Sequence, residues 1–249
     1  MGKLPKAPLE EVILELKWEL DFDSQTNLFL DKGYVFALGK FQKQIENDYP
    51  LLKSKFPENI PVQMLSHQTV FQFWKGEKVW PVIQLGPGIM TVNETEKNYH
   101  WQDSFLPTVK QALNLLEESY GKSLKLVEYS LRYIDVVRLD DYEFNSWESF
   151  INENFNFVFE NKFNTRGAIK GLKFDQVFDS GDLGNLHLSF SDGMNALNQK
   201  LVVWQTAVSC LRPIASTDIL NWLDKAHETT SSVFKEICKE KFYGSFSSK

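Results

Sequence analysis

Cysteine, glycine and proline are all scarce in this sequence of 249 residues, which contains 2 cysteines, 13 glycines and 9 prolines. The two cysteines, Cys210 and Cys238, are too few and too far apart for the disulfide framework of a small secreted domain. The low glycine and proline content excludes a collagen-like or low-complexity chain. Hydrophobic residues at 43% and aromatic residues at 14% indicate a globular protein with a substantial core.

Positive charge is also in deficit, because 27 lysines and arginines face 33 aspartates and glutamates, which gives a net charge of −6. This balance argues against general polyanion binding, which needs a positive surface. The sequence has no apolar run long enough to predict a membrane span, and its first residues lack the apolar segment of a secretory signal. We therefore expect a cytoplasmic protein with no membrane partner.

The motifs of common enzyme classes are absent as well. The histidines His67, His100, His187 and His227 have no spacing that predicts a metal site. Gly86-Pro87-Gly88 precedes a predicted strand instead of a helix N-terminus, so it favours a turn over a phosphate-binding loop. No Gly-x-Ser-x-Gly nucleophile elbow occurs. The sequence predicts no cofactor, metal or catalytic residue, and a non-enzymatic protein is favoured.

The sequence does contain clear periodic patterns. Helical spacing of apolar residues predicts four helices, at Phe36 to Asp48, Ser104 to Tyr120, Trp147 to Phe155 and Thr217 to about Lys241. Alternation, together with β-branched and aromatic content, predicts strands at Val12 to Leu20, Gln68 to Trp74, Lys78 to Leu85, Ile89 to Asn93, Leu124 to Leu139, Leu172 to Asp179, Leu186 to Ser191 and Leu201 to Leu211.

The order of these elements repeats along the chain, since residues 1–121 and 122–249 each run strand, helix, several strands and helix. A run of strands followed by a long helix is typical of an antiparallel sheet covered by helices. We therefore predict an α+β protein in which two similar halves share one curved antiparallel sheet, with helices on one face. The TATA-binding-protein saddle and a tandem helix-grip arrangement are analogies for this architecture, and they carry no function.

Several segments carry a family resemblance: Lys3 to Trp18, Gln84 to Gly88, Tyr99 to Phe105, Leu131 to Asp135, and Trp222 to Glu228 followed by Phe234. They resemble motifs of a sporadically distributed family of uncharacterised prokaryotic proteins of about this length, in which many members have asparagine at the position of Asp135. The resemblance covers nearly the whole chain and implies a shared fold and a prokaryotic origin. Its patchy distribution implies a defence-linked setting, and it implies no catalytic residues.

The strand from Leu124 carries the first candidate site. Glu128 and Arg132 share one face of this strand, and an arginine there can bind a carboxylate or another anion through two parallel hydrogen bonds. The simpler interpretation is an ion pair of Arg132 with Glu128 or with a neighbouring strand. In a ligand-binding or hydrolytic protein, Arg132 would join Tyr133 and His227 in a groove between the sheet and the last helix.

The last predicted helix carries the second candidate site. Asp224 and His227 are three residues apart and can hydrogen-bond to each other on one helix face. A pH-sensitive or catalytic histidine is one interpretation of this pair. The simpler interpretation is a packed histidine that ties the helix to an adjacent loop.

The third candidate is the most basic stretch of the chain, which contains Lys162, Arg166, Lys170 and Lys173 with Phe163 between them. Basic and aromatic residues interleaved in this way are typical of segments that bind single-stranded nucleic acid. In an acidic chain the simpler interpretation is a solvated connecting loop.

The favoured function is a non-enzymatic, cytoplasmic binding or regulatory protein that engages a protein partner, in a prokaryotic defence or toxin-control system. The first alternative is a small-ligand-binding or hydrolytic helix-grip protein that uses the groove beside the last helix. Nucleic-acid binding through residues 162–173 is the least favoured. The sequence leaves the oligomeric state open, and a homo-oligomer is among the options.

Overall fold

A computed structural model describes residues 4–57, 59–95, 97, 99–164, 166–167 and 169–247. Lys3, the first residue of the family-like opening segment, lies outside the described residues. The helices are α1 (Tyr34–Ile45), α2 (Leu106–Tyr120), α3 (Trp147–Asn154), α4 (Ile219–Ile237) and α5 (Glu240–Ser245). The strands are β1 (Leu9–Trp18), β2 (Asp21–Asp23), β3 (Leu28–Leu30), β4 (Leu51–Ser54), β5 (Phe71–Trp74), β6 (Val82–Gly86), β7 (Ile89–Thr95), β8 (Lys125–Arg138), β9 (Lys173–Asp179), β10 (Asn185–Met194), β11 (Lys200–Cys210) and β12 (Ile214–Ala215).

Ten strands form one large antiparallel sheet, in the order β4-β5-β6-β7-β1-β8-β11-β10-β9, with β12 paired to β8. Strands β2 and β3 form a separate two-stranded hairpin. The predicted α+β class is therefore confirmed, together with the antiparallel sheet. The internal duplication, the curvature of the sheet and the placement of helices on one face stay predictions.

The chain forms two compact units, each built from segments that are separated in the sequence. We call the described residues of Met1–Glu11, Arg132–Val208 and Lys225–Lys249 the terminal unit. Val12–Leu131 and Ser209–Asp224 form the central unit. The predicted halves, residues 1–121 and 122–249, are continuous segments with different bounds, and the duplication behind them stays a prediction.

In the central unit, α1 and α2 pack against each other. The Phe41 ring of α1 meets the Phe73 ring of β5, with 5.2 Å between their centroids. Helix α2 ends where predicted, because Gly121 adopts φ +67° and its N–H bonds to the carbonyls of Glu117 and Glu118. A left-handed residue at this position is a common way to end a helix, and glycine takes it without steric cost.

In the terminal unit, the core is dominated by aromatic rings. Phe155 lies at its centre and is fully buried, with its ring edge-on to three neighbours: Phe190 at 4.9 Å, and Trp204 and Phe242 both at 5.3 Å between centroids. Such edge-to-face pairs stabilise a core beyond the area that they bury. Much of the aromatic content of the sequence is therefore used for packing here.

The predicted last helix, Thr217 to about Lys241, is interrupted and continues as a second helix, α5. The reason lies in contacts from a distant segment. The Asn156 side chain donates to the Glu236 carbonyl at 2.7 Å, and the Lys239 N–H donates to the Asn154 carbonyl at 2.8 Å. These bonds satisfy backbone groups that an unbroken helix would pair internally, so the chain can turn between α4 and α5.

Candidate functional site

Strand β8 and helix α4 bring together two of the predicted site residues of the terminal unit. Tyr133 Oη and His227 Nδ1 share a hydrogen bond of 2.8 Å, and their ring centroids are 6.1 Å apart. Burial lowers the pKa of His227 to about 4, because the charged imidazolium is disfavoured away from water. At neutral pH His227 is therefore an uncharged imidazole held against the sheet.

A buried carboxyl group that sequence reasoning did not select lies two residues further along β8. Asp135 points to the same face of the strand as Tyr133, since side chains alternate along a strand. Only 4% of Asp135 is exposed, and burial raises its pKa to about 8. The Asp135 side chain has no hydrogen bond to any described residue. With this raised pKa, Asp135 is mainly protonated at neutral pH. Burial, together with the nearby Asp135 carboxyl group, also raises the pKa of the Cys238 thiol to about 12.

Glu128 forms an ion pair with a residue that the sequence analysis did not select. Its Oε1 accepts a hydrogen bond of 2.7 Å from Lys17 Nζ of β1, and Lys17 is 3.2 Å from Glu15 as well. Burial disfavours the charge of Lys17, but the two carboxylates outweigh it and raise the pKa of this lysine. Glu128 therefore belongs to an ion-paired cluster between neighbouring strands.

Arg132 lies on the other face of β8 from Tyr133, because successive residues of a strand point in opposite directions. The Arg132 side chain is half-buried and forms no hydrogen bond or ion pair with the described residues. The predicted ion pair between Arg132 and Glu128 is therefore not formed. A role for Arg132 in binding an anion stays a prediction, and the alternation separates it from the Tyr133–His227 pair.

Asp224 is exposed on α4, and no hydrogen bond joins its side chain to a described residue. The Nδ1 atom of His227 faces Tyr133, so the predicted contact between Asp224 and His227 is not formed. The histidine ties its helix to a strand of the sheet, where the simpler sequence interpretation placed a loop.

The predicted basic stretch is exposed, and carboxylates lie beside two of its four cations. Lys162 is 3.8 Å from Glu160, in the segment between α3 and β9. Lys173 begins β9 and is 3.4 Å from Asp175. Arg166 and Lys170 lie in the same segment and are also exposed. The neighbouring carboxylates reduce the local positive charge on which polyanion binding depends.

A second carboxylate missed by sequence reasoning organises the central unit. Asp31 Oδ2 accepts hydrogen bonds from Trp18 Nε1 at 3.0 Å, Tyr120 Oη at 2.5 Å and the Gly88 N–H at 3.0 Å. Its other oxygen accepts from the Gly33 N–H at 3.2 Å. Charge-assisted bonds of this kind are strong. Asp31 therefore fixes the segment that connects β3 to α1 against β1, α2 and the glycine turn.

The glycine turn at Gly86-Pro87-Gly88 has the structural role that its sequence favours. A Cβ atom on Gly86 would lie 1.8 Å from the Gln68 carbonyl oxygen, which leaves no room for any side chain. Gly88 adopts φ +75°, and a Cβ there would meet Leu20 and His67 at less than 3 Å. Close backbone approach therefore explains Gly86, and a left-handed backbone crowded by two side chains explains Gly88, without a bound phosphate.

The hairpin formed by β2 and β3 presents an exposed aromatic pair in the central unit. Phe22 and Phe29 face each other across the hairpin, with 5.4 Å between ring centroids, and are 53% and 61% exposed. At the tip, Asp23 accepts a hydrogen bond from Thr26 Oγ1 at 2.7 Å, which closes the turn. The Phe29 carbonyl accepts from Ser66 Oγ at 2.8 Å. We call the exposed pair of Phe22 and Phe29 the hairpin surface.

Comparisons with family models, curated proteins and solved structures find no match to this chain. The family resemblance described above therefore stays a prediction. Within the described ranges, no group of three or more histidine, cysteine, aspartate or glutamate side chains is arranged to hold a metal ion. The same ranges contain no helix with the length and apolar character needed to cross a membrane.

Proposed function

We propose that this protein is a non-enzymatic binding protein that engages a protein partner through the hairpin surface. The observation that carries the proposal is the exposed pair of Phe22 and Phe29. Large aromatic side chains are costly to leave in water and are enriched where proteins bind each other. Single exposed apolar residues are ordinary, but two exposed rings in contact on one hairpin form a patch that a partner can cover.

The charges around the patch define the partner. Asp21 and Asp23 flank Phe22 on the same strand, and their side chains point to the other face of this two-stranded hairpin. Asp21 is exposed and Asp23 is half-buried, so both carboxylates lie at the border of the aromatic pair. The hydrogen bond from Thr26 lowers the pKa of Asp23, so this carboxylate is ionised at neutral pH. Complementary charge steers association and selects the partner. We therefore propose a partner that presents apolar side chains bordered by lysine or arginine.

The resemblance to the prokaryotic family adds the proposal of a cytoplasmic protein in a defence or toxin-control system. A common ancestry of two halves that share a curved sheet also remains part of the proposal. Neither statement depends on the hairpin surface, and the experiment below tests the binding function alone.

The aromatic pair also stabilises the hairpin, so the test must separate binding from folding. We propose the double variant Phe22→Thr with Phe29→Thr, because threonine keeps a high strand propensity while removing the rings. The matched control is Phe163→Thr, which removes an exposed ring from the terminal unit. Far-ultraviolet circular dichroism would establish that all three proteins fold alike.

The binding test begins with a photo-crosslinking amino acid at position 29 in the organism that encodes the protein. A captured partner is then purified and titrated against each variant by calorimetry. We expect at least a tenfold weaker affinity for the double variant and no change for Phe163→Thr. Equal affinities for all three proteins, or a captured surface without basic residues, would contradict the proposal.

Asp135 favours a second candidate function, the binding of a small polar ligand beside α4. A buried carboxyl group with a raised pKa and no hydrogen bond to a described residue is a frequent mark of a functional site. We propose that such a ligand would accept a hydrogen bond from protonated Asp135. A thermal-shift screen of small carboxylic acids and amides tests this idea. A ligand that raises the melting temperature of the natural protein and of Asp135→Leu by the same amount would contradict the proposed role of Asp135.

A further inference from the structure

Strand β9 is the last strand of the large sheet and has a free edge. It pairs only with β10, through seven consecutive residue pairs from Lys173 opposite Ser191 to Asp179 opposite Asn185. Alternate residues of a strand direct their N–H and C=O groups to opposite edges, so half of these groups in β9 face away from β10. Among the described residues, the backbone of β9 has no hydrogen bond outside the ladder with β10.

The length and regularity of β9 leave this edge able to pair. Natural edge strands avoid pairing by being short, by proline, by a bulge or by charged side chains, above all lysine. Strand β9 has seven residues in an unbroken ladder and no proline, and its charged residues are one lysine, Lys173, and two aspartates, Asp175 and Asp179. Val177 and Phe178 are 59% and 44% exposed, although valine and phenylalanine favour covered strand positions.

We infer that β9 pairs antiparallel with β9 of a second copy of this chain, about a two-fold axis at Gln176. The charges of the strand argue for a second copy as the occupant. In this register Lys173 of each copy lies opposite Asp179 of the other, so two ion pairs form across the junction. Phe174 lies opposite Phe178, and Gln176 lies opposite itself.

Other arrangements of the same strand are worse. A parallel, in-register pair would place Lys173 opposite Lys173 and each aspartate opposite itself. Moving the two-fold axis by one residue, to Asp175 or Val177, places aspartates opposite each other. Like charges directly opposite each other destabilise a strand pair. The register centred on Gln176 also uses all seven residues of the strand, so it forms the longest junction.

The aromatic residues support the same register. Phe174 is half-buried and stacks on Phe190 of β10, with ring planes 1° apart and centroids 5.2 Å apart. Phe178 lies on the same face of β9, since these residues are four positions apart. In the dimer, Phe178 of each copy would cover Phe174 of the other and lose much of its own exposure to water.

Charge-swap variants test the register. Lys173→Asp and Asp179→Lys each place like charges opposite each other at both symmetric positions, whereas the double variant restores opposite charges. Sedimentation velocity over a range from low micromolar to several hundred micromolar would measure the dimer dissociation constant. We expect the natural protein to dimerise, each single variant to weaken the dimer at least tenfold, and the double variant to recover most of the loss.

A second measurement does not depend on Asp179, which also caps a turn by accepting from the Gly181 N–H at 2.8 Å. In the proposed register, the cysteine introduced by Gln176→Cys lies opposite the same cysteine of the second copy, at the two-fold axis. We expect it to form a disulfide-linked dimer on mild oxidation much faster than the control Lys162→Cys, which lies in an exposed loop. The two natural cysteines are buried.

A monomer at every concentration would overturn the inference. So would a dimer that Lys173→Asp leaves unchanged, or equal crosslinking rates at positions 176 and 162. The inference is independent of the hairpin surface, so the Phe22→Thr, Phe29→Thr variant should dimerise like the natural protein. Loss of the dimer in that variant alone would assign self-association to the hairpin instead of β9.

Discussion

Replacing Asp135 by asparagine should make the protein more stable, by an amount that grows with pH. Burial raises the pKa of Asp135 to about 8 in the folded chain, against a reference value of 3.8. Between these values the unfolded chain is ionised at this position, whereas the folded chain keeps the proton. Unfolding therefore releases a proton, and the free energy of unfolding falls as the pH rises. Asparagine does not titrate, so the variant escapes this loss.

The magnitude follows from the pKa shift. Each pH unit between the two pKa values costs about 1.4 kcal/mol of stability. At pH 7 the loss is about 4 kcal/mol, and it reaches about 6 kcal/mol above pH 8, where the folded chain ionises as well. Asparagine is close to aspartate in size, so the packing around this position should change little.

Urea denaturation at pH 5, 6, 7 and 8 would measure this effect, with Asp140→Asn as the exposed control. We expect the stability difference between Asp135→Asn and the natural protein to widen by about 1.4 kcal/mol for each unit from pH 5 to pH 7, and by less from pH 7 to pH 8, where the folded chain begins to ionise. Burial of His227 acts in the opposite direction, because its lowered pKa makes the fold lose stability as the pH falls below about 6.5. That contribution is present in both proteins and cancels in the difference. A difference that does not depend on pH would refute the reasoning.

Three further substitutions test individual contacts by the same denaturation assay. Asp31→Asn turns an acceptor of several hydrogen bonds into a partial donor and should cost about 2–4 kcal/mol, whereas the exposed Asp21→Asn should change stability by less than about 0.5 kcal/mol. Gly86→Ala forces a Cβ atom into a backbone carbonyl oxygen and should lower the free energy of unfolding by more than about 2 kcal/mol. Its control is Gly39→Ala, which has open space around it in α1 and should raise the free energy of unfolding by up to about 1 kcal/mol. Tyr133→Phe removes the hydrogen bond to the half-buried His227 and should cost about 1 kcal/mol at pH 7. An unchanged stability would mean that this bond contributes nothing net.

Local patterns in the sequence were sufficient for most helices and long strands. Helix α2 ends at Tyr120, before Gly121, as predicted, and α3 begins at Trp147 after its Ser146 cap. These elements are marked by residues within one or two turns of each other, which is the range over which periodicity and capping act. Strands β2, β3, β4 and β12 were not predicted, since each has only two to four residues and shows no periodicity of its own.

The candidate sites depended on contacts that no local pattern encodes. Asp31 is surrounded by donors that come from three distant segments, and an isolated aspartate after a short strand has no sequence signal for this role. The sequence predicted the long strand that contains Asp135, but nothing in its local pattern indicated that this carboxyl group is buried. The pairing of Tyr133 with His227 joins residues 94 positions apart in the chain.

The sequence by itself determined the α+β class, the acidic charge and most elements of secondary structure, because these follow from composition and from contacts between near neighbours. Only the tertiary structure decided which carboxylates are buried, which aromatic residues remain exposed on the hairpin surface, and which strand ends the sheet. Each of these depends on what other segments place beside a residue. Burial, and with it the pKa of Asp135 and the free edge of β9, is a property of the folded neighbourhood.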